Sequence, residues 1–139
     1  MSSVDPAGRG IPPLLDQPFD STSLAGTRRL IRQRLAESGL QPDRAEAFTF
    51  AINEGLINAI MHGGGGGDVT VERAGERLVA TVEDRRPTPP FALPTRLPPP
   101  DALGGRGLWL ATGSCDAIRL ESGRQGLRLI LEVDLAARP

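Results

Sequence analysis

Lysine is absent from this chain of 139 residues; all 16 cationic side chains are arginine. That excludes a Walker-type phosphate lysine and a lysine nucleophile, and leaves a cation suited to bidentate grip on phosphate or carboxylate. There is one cysteine, Cys115, so no internal disulfide can form, and the clusters that mark zinc sites are missing. A reducing, cytoplasmic setting is expected. No His or Asp motif lies beside Cys115 to activate it, and it reads as a small buried residue. The opening MSSVDPAGRG lacks the apolar core of a secretory signal, and no apolar run reaches the length of a membrane span. Neither sign of charge is in excess. The formal net charge of -1 argues against a broad basic surface for nucleic acid. A hydrophobic fraction of 39% and a charged fraction of 24% are ordinary for a soluble globular chain, and the length suits one domain.

What is present is organised by period. Residues 1–12 are polar and rich in Gly and Pro, and read as a disordered tail ahead of a single domain over 13–139. Pro13 to Phe19 is a candidate first strand. Ser23 is placed to cap a helix from about Leu24 to Ser38, with Leu24, Leu30, Ile31 and Leu35 on one face and Gly39 at the end. The other face carries Arg28, Arg29, Arg32 and Arg34, either a solvated face or a docking surface for an acidic partner. Pro42-Asp43 opens a second helix to His62. One side holds Phe48, Ile52, Gly55, Leu56, Ala59 and Ile60. The other holds Phe50, Glu54, Ile57, Asn58 and Met61, so the spacing predicts a helix buried on both sides. Gly63 to Gly67 reads as a flexible link. Asp68 to Arg73 and Arg77 to Glu83 alternate as the strands of a hairpin. A proline-dense loop follows over about 85–104. Gly104-Gly105-Arg106-Gly107 leads into a short helix, and Asp116 to Glu121 with Gly126 to Leu135 forms a second hairpin. This order predicts an α+β fold, a two-layer sandwich with helices on one face of a mostly antiparallel sheet.

Three places can carry chemistry. Glu54 and Asn58, at i and i+4, share a helix face. A carboxylate there can serve as general base, and the Asn oxygen is a hard ligand of the kind Mg²⁺ accepts. The alternative is a buried pair satisfied by backbone or a nearby Arg. Asp84, at a strand end, either makes a turn or accepts a hydrogen bond from an exocyclic amine. Gly104 to Gly107 is either an ordinary helix start or a phosphate cradle, with Arg106 adding a charged donor. His62 reads as a helix C-terminal cap. Trp109 reads as core.

In order, these segments resemble the boxes of the GHKL superfamily of ATP-binding domains, whose fold is the Bergerat sandwich. AINEGLINAIMHGG (51–64) is similar to the N-box, with its Glu-x-x-x-Asn core. VED (82–84) resembles the start of the G1 box, and GGRGLWLA (104–111) the G2 box after the ATP lid. The short chain is most similar to the anti-sigma factor serine/threonine kinases. The resemblance implies Glu54 as the catalytic base, Asn58 as the Mg²⁺ ligand, Asp84 as the adenine acceptor, and Gly105, Arg106 and Gly107 against the phosphates of ATP. It further implies two protein partners, a STAS-domain anti-sigma factor antagonist and a sigma factor, with a homodimer possible. Nothing in it implies direct contact with nucleic acid or membrane.

One segment departs from the pattern. The G1 box runs Asp-x-Gly-x-Gly, whereas here Arg86 and Thr88 stand at the glycine positions, where a side chain crowds the passing backbone. A second reading is therefore a degenerate GHKL relative that binds a partner, with weak or no nucleotide binding and no kinase activity. A third is the catalytic half of a split sensor histidine kinase.

Overall fold

Alternation in the strands and a 3.6-residue period in the helices sort the side chains onto two faces before any tertiary contact forms. In the computed structural model, which describes residues 12–85 and 112–136, five strands and two helices use those faces. Strand β1 (Leu15–Asp20) is followed by helices α1 (Leu24–Ala36) and α2 (Pro42–His62). Strands β2 (Gly66–Ala74) and β3 (Arg77–Asp84) come next. A 3-10 turn (Thr112–Ser114) then leads to β4 (Ala117–Ser122) and β5 (Leu127–Asp134). The sheet order is β1-β2-β3-β5-β4, and every neighbouring pair is antiparallel. The α+β sandwich expected from the sequence is the fold observed. The tail lies outside the described residues as far as residue 11. So do all of the proline-dense loop after Arg85 and the glycine turn with Gly105, Arg106 and Gly107.

The register lines up the core. Leu15, Val71, Ala80, Leu131 and Ile118 form one cross-strand row on the helix side, and Gln17, Val69, Val82, Leu129 and Leu120 form the next. Phe48, Ile52 and Leu56 of α2 and Ile31 and Leu35 of α1 pack onto them with no exposed surface. Each such side chain contributes about 1.5–3 kcal/mol by leaving water. Only one side of α2 is used in this way. Phe50 is 40% exposed and Met61 66% exposed, which corrects the expectation of burial on both sides. Both helices lie in one layer, and among the described residues no second layer covers the outward face of α2.

Local chemistry sets the ends. Ser23 stands at the N-cap of α1 but makes no side-chain cap; its hydroxyl accepts instead from the Asp20 N–H at 2.9 Å. Asp20 in turn accepts from the Thr22 hydroxyl and amide and from the Ser23 amide. The Thr22 hydroxyl bond, then the two amides, hold its carboxyl below its ordinary value. Arg34 does not belong to a free basic face, because its Nε donates to the Leu14 carbonyl at 3.0 Å and ties α1 to β1. Thr27, absent from the expected apolar face, is buried and accepts from Gln17 Nε2 at 2.8 Å. Gly26 lies inside α1 with open space where a Cβ would be. Gly26→Ala is expected to stabilise the fold by about 0.5–1 kcal/mol, because it removes only unfolded-state freedom. A rise in the urea midpoint at constant slope checks this.

The outer face of the sheet is polar. Arg77 pairs with Glu132 and Asp134 at 3.0 and 2.7 Å, Arg119 with Glu132 at 2.7 Å, and Arg128 with Glu83 at 3.1 Å. Burial pushes the Glu132 carboxyl up, but hydrogen bonds from Arg77 and Arg119 outweigh it and leave it below its ordinary value. A depressed carboxyl stabilises above its unfolded value, so this contribution is present at neutral pH and lost as the solution is acidified.

Candidate functional site

Two of the residues singled out in the sequence meet in space. Asn58 from α2 and Asp84 from the end of β3 line one recess, whose remaining walls are Gly55, Ala59, Val82, Leu120, Leu127 and Leu129. The helix reaches the sheet there because Gly55 has no side chain. A Cβ on it would lie 2.9 Å from Leu129 Cδ2. The recess, with a volume of about 10 Å³, joins an amide and a carboxylate to apolar walls.

Glu54 does not line the recess. It sits one turn before Asn58, about 40° away around the helix axis. Both side chains are half-buried, and among the described residues neither has a hydrogen-bond or ion-pair partner. The alternative of a pair satisfied by backbone or a nearby Arg finds no such partner among the described residues. Asn58 can offer its oxygen to a cation, and no group of three or more His, Cys, Asp and Glu gathers among the described residues.

Asp84 is 3% exposed, and its Oδ1 accepts the Leu127 N–H at 2.8 Å. The adjacent Glu83 points to the opposite face, where its Oε2 accepts the Gln125 N–H at 2.8 Å. Two neighbouring carboxylates thus hold the β4–β5 turn from both sides of the sheet. The Leu127 contact had no sequence signal, since it depends on how β5 lies beside β3.

The glycine run is not simply a flexible link. Gly64 and Gly65 take the left-handed backbone, with φ of +84° and +91°. Gly66 and Gly67 are already part of β2, and a Cβ on either would fall inside the neighbouring backbone, on the Phe19 and Glu83 carbonyls respectively. The Gly63 carbonyl accepts from the Arg85 N–H at 3.0 Å, which pins the end of α2 to the end of β3.

A residue missed in the sequence is Asn53, whose Oδ1 is buried without a partner. It lies about 100° around the helix from Glu54 and is not part of the recess. At the other end of α2, Arg44 pairs with Asp116 at 2.6 Å beside Cys115. Cys115 packs against the core but is half-buried rather than buried. Burial, then the Asp116 charge, pushes its thiol up to about 12. Alkylation should therefore be slow at pH 8 and accelerate only towards pH 12, as a mass-spectrometric time course across pH would show. Because the thiol is raised above its unfolded value, any stability it contributes is lost as pH rises from about 9 through 12.

The sequence model of one family, described as "Histidine kinase-like ATPase domain", matches residues 18–133. No curated protein sequence matches the chain. Among solved structures, the RsbU and RsbW domains of Rv1364c from Mycobacterium tuberculosis superpose with a TM-score of 0.64 at 23% identity. The match covers 90% of this chain and 32% of that one, and at this identity it shows a shared fold.

Proposed function

This chain belongs to the family of histidine kinase-like ATPase domains, and we propose on that premise that it is a Mg-ATP-dependent protein serine kinase of the anti-sigma factor type. Its substrate would be a serine on a STAS-domain anti-sigma factor antagonist, and its other partner a sigma factor that it sequesters. The observation that carries the reading is the meeting of Asn58 and Asp84 in one recess, with Glu54 one turn before Asn58 and without a partner among the described residues. Membership of an ATPase-domain family implies nucleotide binding, and the chemistry of Asn58 and Asp84 supports it. Asp84 would face the adenine amine, Asn58 would hold Mg²⁺, and Gly105, Arg106 and Gly107 would lie against the phosphates. Bound Mg-ATP would supply the phosphoryl group and neutralise its charge. Glu54 would take the proton as the serine oxygen attacks, so the protein contributes position and charge and no covalent step. A cytoplasmic setting is part of this proposal. No helix among the described residues is long and apolar enough to cross a membrane.

The test is incubation of the chain with γ-labelled ATP, Mg²⁺ and a STAS protein. Label on a serine, lost with EDTA, supports the reading. Nucleotide binding without transfer to any serine would sink the kinase assignment. One observation favours the second reading, a partner-binding relative with little nucleotide affinity: the Asp84 carboxylate is almost fully buried and already holds Leu127. Calorimetry with Mg-ATP separates the two, since micromolar binding lost in Asn58→Ala would exclude the second.

A further inference from the structure

We infer that Gly63, Gly67 and the Leu127 amide form a socket that fixes the Asp84 carboxylate, and that Gly63 is a positioning residue for discrimination of a 6-amino purine. The inference rests on the nucleotide reading above and extends it to residues that touch no ligand in that reading.

The reason is what glycine does at position 63. At the C-cap of α2 it has φ -118° and ψ 39°, a backbone that other residues can adopt. It is therefore unlike Gly64 and Gly65, whose positive φ accounts for their lack of a side chain. What needs glycine at 63 is space. A Cβ there would lie 2.6 Å from Asp84 Cγ and 2.7 Å from Asp84 Cβ, and closer still to Oδ2. On the other side, Gly67 is the cross-strand partner of Asp84, and a Cβ on it would lie 2.9 Å from the Asp84 Cα. The third wall is the Leu127 N–H on Oδ1. Two glycines and the Leu127 amide thus flank the carboxylate beside the recess it lines with Asn58.

The consequence is mechanical. In Gly63→Ala the new methyl must displace Asp84, and a shift of Asp84 strains or breaks its bond to the Leu127 amide, leaving that amide buried without an acceptor. The carboxylate loses the orientation in which it can meet an exocyclic amine. The rest of the nucleotide, bound through Asn58 and the phosphate-facing residues, is unaffected.

Calorimetry on the full chain with Mg-ATP and Mg-ITP, which carries a 6-oxo group in place of the amine, reads this directly. The wild type is expected to favour ATP by about 10- to 100-fold, the range for one hydrogen bond to a charged group. Gly63→Ala is expected to weaken ATP by a similar factor and ITP by less than about threefold, so that discrimination collapses. Asp84→Asn, which fits the socket without the charge, should also lose the ATP preference. A Gly63→Ala protein that discriminates as well as the wild type overturns the positioning role alone. A wild type that binds neither nucleotide overturns the nucleotide reading, and the specificity role with it. Should Gly63→Ala fold too poorly to titrate, urea midpoints decide. Gly63→Ala must cost far less in an Asp84→Ala background than in the wild type, and equal cost in both backgrounds overturns the socket.

Discussion

Replacing Glu54 with glutamine is expected to slow phosphoryl transfer to serine by about 10²- to 10⁴-fold, the range for loss of a general base. The nucleotide dissociation constant should stay within about threefold, because a group used only in the transition state lowers the rate without changing ground-state binding. The geometry supports this split. Glu54 lies outside the recess shared by Asn58 and Asp84, so its charge does not contribute to the recess walls. Glutamine has the same shape, and the position is half-buried with no partner to lose among the described residues, so folding should not change. Single-turnover transfer from labelled ATP, with calorimetry on the same protein, measures both quantities. An unchanged rate removes Glu54 as the base. A rate that falls only in step with nucleotide affinity makes it a binding residue instead.

The second large effect concerns the fold under the site. Gly67→Ala is expected to destabilise the domain by about 3 kcal/mol or more, the upper end for forced overpacking. Gly67 is paired with Asp84 across the β2–β3 ladder, and a methyl there would fall on the Glu83 carbonyl. Backbone cannot rotate out of the way as a side chain can, so the two strands must separate locally and lose ladder hydrogen bonds. Gly65→Ala is the control. Its Cβ would meet nothing within 4 Å, and its cost is only that of a left-handed alanine, about 1–2 kcal/mol. Urea denaturation of the two variants separates crowding from conformation. Should Gly67→Ala cost no more than Gly65→Ala, the close approach of β2 to Glu83 is not a determinant of stability.

The five consecutive glycines show where reading a sequence stops. A run of glycine reads as freedom, and at Gly64 and Gly65 it is indeed backbone conformation that matters. At Gly63, Gly66 and Gly67 the same residue is required by neighbours from β1 and β3, which no local pattern reveals. The apolar outer face of α2 is a similar case. Phe50 and Met61 read as buried from composition, yet a helix lying on one side of a sheet buries one side only.

Local periodicity determined much by itself. The helical repeat through α2 placed Glu54 and Asn58 one turn apart on one face, and strict alternation placed Asp68 to Arg73 and Arg77 to Glu83 as the strands of a hairpin. The order of helices and hairpins then left few layer arrangements, and the resemblance of the boxes pointed to the family that the match over residues 18–133 shows. These features depend on residues a few positions apart, whose geometry the chain carries with it. The meeting of Asn58 with Asp84, the Leu127 amide on the carboxylate, and the reach of Arg34 to Leu14 were decided only in the folded molecule. Each depends on strand order, register and the seating of helices on the sheet, set by packing between segments far apart in the chain.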